Sequence, residues 1–150
     1  MSERFDHLID RLEHLVGQIE RVLPQPLCAP DWSTAVAYRY RKRSAGRASL
    51  ESVRHVGAIR LADLREVDEQ KAKVQRNTSQ FVQGHPANNL LLTGARGTGK
   101  SSLIKACLNE YAASGLRLIE VDKADLVDLP DIVDVVSQRA EKFIVFCDDL

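Results

Sequence analysis

Gly94-Ala95-Arg96-Gly97-Thr98-Gly99-Lys100-Ser101 fills every fixed position of the phosphate-loop pattern G-x-x-x-x-G-K-[ST]. At ordinary residue frequencies that pattern arises by chance in roughly one chain in a few hundred of this length. The flanks fit as well. Asn89-Leu90-Leu91-Leu92-Thr93 before the loop is a short apolar run that predicts a buried strand. After it, Leu103, Ile104, Ala106, Cys107, Leu108 and Tyr111 recur at helical spacing, and Gly115 stands where a helix would stop.

The chemistry of such a loop follows from its backbone. Glycines let the chain turn tightly and bring successive N–H groups onto an anion with no Cβ in the way. The helix that follows adds its unpaired N–H groups and the positive end of its dipole. Gly94, Ala95, Arg96, Gly97, Thr98, Gly99, Lys100, Ser101 and Ser102 are therefore the expected nucleotide-phosphate site. Lys100 is expected to reach the β- and γ-phosphates, and the Ser101 hydroxyl to serve as a ligand of Mg²⁺.

A second half of the chemistry is expected near the end of the chain. Phe143-Ile144-Val145-Phe146-Cys147 reads as a buried strand that ends in Asp148-Asp149. Parallel strands deliver such carboxylates to the edge where ligands of open α/β sheets bind. Asp148 is expected to hold Mg²⁺ opposite Ser101, and Asp149 to orient or deprotonate the attacking water.

Composition sets the outer limits. The chain has 150 residues, 44 % of them hydrophobic and 28 % charged, which suits a folded domain rather than a disordered one. Lysine plus arginine number 21 and aspartate plus glutamate 21, so no global charge argues for a polyanionic partner. The first residues are too charged for a signal-peptide core, and no run approaches a membrane span. Cys28, Cys107 and Cys147 are odd in number and lack metal-ligand spacing. A cytoplasmic protein without disulfides is the expectation.

Upstream of the loop, residues 4–23 predict one amphipathic helix with an apolar stripe of Phe5, Leu8, Ile9, Leu12, Leu15, Val16, Ile19, Val22 and Leu23. Packing of that stripe on the body of the same chain is the simpler expectation; packing on another subunit is the alternative. His7 and His14 read as solvated. Asp31 is expected to cap a short helix from Trp32 to about Tyr40. The run Tyr38-Arg39-Tyr40-Arg41-Lys42-Arg43 interleaves cations with aromatics. Nucleic-acid contact through Arg39, Arg41, Lys42 and Arg43 is a weak possibility beside a plain solvated face. Small residues from Ser44 to Ser49 suggest a boundary, giving an N-terminal helical region and basic linker over 1–50 and a nucleotide-binding unit over 51–150.

Beyond that boundary, residues 52–61 read as extended and 64–82 as a helix. Leu116–Val121 reads as a second strand. Asp128-Leu129-Pro130-Asp131 opens another helix, with Ile132, Val133, Val135 and Val136 on its buried face. The aspartates at 122, 125, 128, 131 and 134 lack calcium-loop spacing and read as a solvated acidic surface.

From about residue 59 the chain resembles the AAA+ ATPases. The likeness is carried by Leu64-Arg65-Glu66-Val67-Asp68, Asn88-Asn89-Leu90-Leu91-Leu92, Gly97-Thr98-Gly99-Lys100-Ser101 and Ile144-Val145-Phe146-Cys147-Asp148-Asp149. More narrowly, the loop together with Ile119-Glu120-Val121-Asp122-Lys123 and Phe146-Cys147-Asp148-Asp149-Leu150 looks like a group of bacterial ATP-binding proteins described only as a domain of unknown function. The resemblance implies an α/β fold, a P-loop NTPase-type parallel sheet with flanking helices, incomplete at its C-terminal end. It implies ATP rather than GTP, Mg²⁺, an adenine pocket that includes Leu64 and Val67, and a homo-oligomer whose neighbouring subunit supplies an arginine. The sensor residue, arginine finger and helical lid of that superfamily would lie past Leu150, so the chain reads as the N-terminal half of such a domain and is expected to be inactive alone.

One departure bears on turnover. The superfamily carries glutamate where this chain has Asp149, one methylene shorter, and general-base geometry tolerates little error. ATP binding with Mg²⁺-dependent hydrolysis by Lys100, Asp148 and Asp149 is therefore the leading expectation. A nucleotide-gated binding module without appreciable hydrolysis, or another P-loop NTPase or kinase, are the alternatives.

Overall fold

The computed structural model describes residues 2–23, 26–43 and 47–148. Eight regular elements follow one another: α1 (Ser2–Val22), β1 (Ala37–Lys42), β2 (Ala48–Ser52), α2 (Asp68–Val82), α3 (Lys100–Tyr111), β3 (Leu116–Glu120), α4 (Leu129–Ser137) and β4 (Lys142–Phe146). Single 3₁₀ segments at Leu61–Asp63, Ala112–Ser114 and Lys123–Asp128 join them. The strands form one sheet in the order β2-β1-β3-β4. β1 and β2 are an antiparallel hairpin, whereas β1–β3 and β3–β4 run parallel. The chain is an α/β protein, with a mostly parallel sheet flanked by helices and a helix in front.

The register sorts side chains strictly by parity. Tyr38 lies opposite Ile119, which lies opposite Val145. These residues pack on one face with Tyr40, Trp32 and Ile132 of α4. Ala37, Leu118 and Ile144 form the next row and pack on the other face with Ile104 and Leu108 of α3. Successive strand residues point to opposite faces, so the two apolar rows demand helices on both sides. A third cluster of Leu61, Val74, Leu103, Ala106 and Cys107 clamps α2 to α3.

Several expectations are corrected by this arrangement. Residues 32–40 are not a helix: a turn at Asp31–Ser33, closed by a 2.9 Å bond from Ser33 N–H to Asp31 Oδ1, leads into β1. The alternation Tyr-Arg-Tyr-Arg has period 2, and with Tyr38 and Tyr40 at most 1 % exposed it is a strand reading that tertiary pairing enforces. Residue 50, the last of the expected N-terminal region, lies in β2, and residues 44–46 of the expected linker lie outside the described residues. Val133 points outward, 46 % exposed, while Ile132 is fully buried.

The run 89–93 forms no strand. Leu90 and Leu91 are 45 % and 73 % exposed, and only Leu92 packs inward. A strand exists by its ladder partners, and among the described residues no strand lies against this segment. For the same reason β4 is half-buried along its length rather than buried, because among the described residues it pairs on one edge only.

The stripe of α1 does not pack on the body either. Phe5, Leu8, Ile9, Leu12, Leu15, Val16, Ile19 and Leu23 are each 48–65 % exposed. His7 and His14 are exposed as expected. All three cysteines are free, and no helix is long and apolar enough to cross a membrane among the described residues.

Candidate functional site

The glycine loop owes its shape to backbone angles that side chains resist. Gly97 and Gly99 have φ of +84° and +85°, in the left-handed region. Gly99 is the residue before α3, and it brings no side-chain cap to the helix. The N-terminal N–H groups of α3 are thus left for an external acceptor. Thr98 Oγ1 donates to Ala95 O at 2.8 Å, tying the loop across its own turn.

Lys100 folds back over the same loop. Its Nζ donates to Gly94 O and Ala95 O, both at 2.9 Å. The ammonium therefore sits over the turn, at the positive end of α3, with neutral carbonyls as its partners. A cation beside the N–H groups of a helix start can meet an anion.

The loop meets the strand tip through one contact. Ser101 Oγ donates to Asp148 Oδ2 at 2.9 Å, joining residues 47 positions apart in the chain. Ser101 is set by the first turn of α3, and Asp148 by the C-terminal end of β4, two residues past its last strand residue. A hydroxyl and a carboxylate are hard oxygen donors, the pair that Mg²⁺ takes when substrate phosphates and waters supply the rest. No group of three or more His, Cys, Asp or Glu side chains is placed to hold an ion among the described residues. Asp149 lies outside the described residues, so its expected role receives no geometry.

Leu64 and Val67 stand beside α2. Leu64 packs on the cluster that contains Leu103, one turn past Lys100 on α3, and Val67 is the residue before α2. Between them Glu66 adopts φ of +62°, a left-handed conformation that costs a non-glycine residue about 1–3 kcal/mol. Lys71 Nζ holds that bend, donating to Leu64 O at 3.1 Å and pairing with Asp68 at 2.8 Å.

Other positioning residues gave no sequence signal. Asn77 brackets Asn88: its Nδ2 donates to Asn88 O at 2.8 Å, and its Oδ1 accepts from Asn88 N–H at 2.9 Å. This pins the backbone a few residues before the glycine loop. Asn109 Nδ2 on α3 likewise donates to Gly57 O and Ile59 O, at 2.9 and 2.8 Å. A polar residue on a helix face is ordinarily solvated, and only the folded backbone reveals these partners.

The cations of β1 are engaged in ion pairs. Arg39 Nε donates to Glu120 at 2.9 Å, Arg41 pairs with Asp122 at 3.4 Å, Lys42 with Asp128 at 2.8 Å and Arg43 with Glu51 at 2.6 Å. Tyr38 and Tyr40 lie in the core and have no face left for a base. Tyr40 Oη donates to Asp128 Oδ2 at 3.0 Å; burial first, then that bond, raises its pKa. The Lys42 ammonium holds the Asp128 carboxyl below its usual range.

Fold and site together define an α/β protein in which a glycine loop opens a helix beside the acidic tip of a parallel strand. The chain belongs to the family described as "Protein of unknown function (DUF815)", which matches residues 33–150 and so starts just ahead of β1. Comparison with curated proteins and with solved structures finds no match.

Proposed function

We propose that this chain binds ATP with Mg²⁺ as the N-terminal part of an AAA+-type P-loop ATPase. The observation that carries the reading is the 2.9 Å bond from Ser101 to Asp148, because it joins the two ends of a phosphate-and-metal motif that are remote in sequence. The N–H groups of residues 94–102 would cradle the phosphates, and Lys100 would exchange its two loop carbonyls for β- and γ-phosphate oxygens. Ser101 and Asp148 would hold Mg²⁺, which neutralises charge building on the transferring phosphoryl group. Leu64, packed against α3, and Val67, the residue before α2, are the proposed wall for adenine.

Hydrolysis would be in-line attack of water on the γ-phosphate, with Asp149 orienting it. Action as an assembly of copies, a neighbour lending an arginine, is the corollary of the AAA+ likeness. A cytoplasmic setting accords with three free cysteines. The shortened acid at Asp149 favours a second reading, in which bound ATP sets a conformation and is not turned over.

Titration with a fluorescent ATP analogue tests the first reading. Addition of Mg²⁺ should tighten binding to the wild type by about tenfold or more, and Ser101→Ala with Asp148→Asn should remove that gain while leaving metal-free binding within about threefold. Equal Mg²⁺ dependence in wild type and double variant would sink it. Phosphate release with and without Asp149→Glu separates the two readings: release that appears only with glutamate favours the gated module.

A further inference from the structure

The exposed stripe of α1 is flanked by charges sorted by sign. With seven residues to two turns, the repeat that the stripe itself follows, Asp6, Asp10, Glu13 and Glu20 fall roughly 100–155° to one side of the stripe's centre. Arg11 and Arg21 fall at the same angles on the other side, with His7 and His14 in the same row as Arg21. The helix thus carries three lengthwise bands: acidic, apolar and basic.

That order decides how such a helix can meet itself. In a parallel pair related by a twofold along the helices, each acidic band lies beside the partner's basic band. In an antiparallel pair the acidic bands face each other, as do the basic ones, and like charges at close quarters repel. The apolar positions also follow a heptad, with Phe5, Leu12 and Ile19 at a, Leu8 and Leu15 at d, and Ile9 and Val16 at e. A d–a–e stripe is broader than a two-stranded seam and suits a bundle of more than two helices.

We infer that α1 docks on α1 of other copies of this chain, side by side and parallel. The inference rests on this helix and is independent of nucleotide binding. The stripe lies wholly within α1 and the residue after it, and no residue of the glycine loop belongs to it.

Sedimentation velocity of the 150-residue chain under reducing conditions, which keep Cys28 from linking copies, reads the outcome. The mass should rise above that of one chain as concentration increases to about 100 µM. The Leu12→Glu, Leu15→Glu variant should stay monomeric while its sheet still melts cooperatively. A monomeric wild type overturns the inference; so does a variant whose sheet no longer folds, since the stripe would then serve the body. A second variant tests orientation: Glu13→Lys with Glu20→Lys should weaken association by about tenfold at low salt. Unchanged or tighter association in that variant overturns the parallel arrangement.

Discussion

Replacing Lys100 with alanine separates the proposed phosphate site from the fold. The ammonium makes two bonds, to Gly94 O and Ala95 O. Both glycine and alanine are exposed, so water replaces the lost donor at those carbonyls. The stability cost should stay below about 1 kcal/mol, which for a chain of this size shifts the melting midpoint by less than about 4 °C. Nucleotide affinity should respond very differently. A charge-assisted hydrogen bond to phosphate contributes about 1.5–3 kcal/mol, and at 1.4 kcal/mol per decade that is a loss of about 12- to 140-fold. Loosening of the loop acts in the same direction. The assay is titration of an ATP analogue in excess Mg²⁺, paired with thermal melts of both proteins. Affinities within twofold of each other, at matched melting midpoints, would refute the reasoning. A fall of many degrees in the midpoint would refute the premise that Lys100 serves the ligand rather than the loop.

Two further expectations concern the body of the protein. Lys42 depresses the folded-state pKa of Asp128, so its contribution is present above the ordinary carboxylate value near 3.8 and is lost as pH falls through the lower folded value. Asp128→Asn should flatten that acid limb of the stability curve, measured as denaturant midpoints below pH 5; an unchanged limb counts against the pairing. Cys107 is 1 % exposed, and burial pushes its thiol up to about 11. Alkylation at pH 8 followed by mass spectrometry should label exposed Cys28 and spare Cys107 until the protein is unfolded. Equal labelling in the native state would mean that the α2–α3 contact opens readily.

The glycine loop, α3 and the Asp148 tip could be read from the sequence because their requirements are local. A left-handed turn needs glycine, and a helix stripe needs only its own spacing. α1 and β3 were legible for the same reason, through periods of 3.6 and 2 that hold without a partner. The sequence also presented Asp148 and Ser101 as candidates for one site.

Their meeting was settled by tertiary structure, as was everything that depends on a neighbour. Trp32 to about Tyr40 read as a short helix, and pairing with β3 and β2 made a strand of Ala37–Lys42 instead. Leu90 to Leu92 had the apolar run of a strand and form none, because a ladder needs a second segment beside it and no strand among the described residues lies there. The basic run read as a solvated face, and only packing brought Glu51, Glu120, Asp122 and Asp128 against it. Local backbone chemistry is written residue by residue, whereas ladder partners, ion pairs and buried faces exist only after distant segments have been packed together.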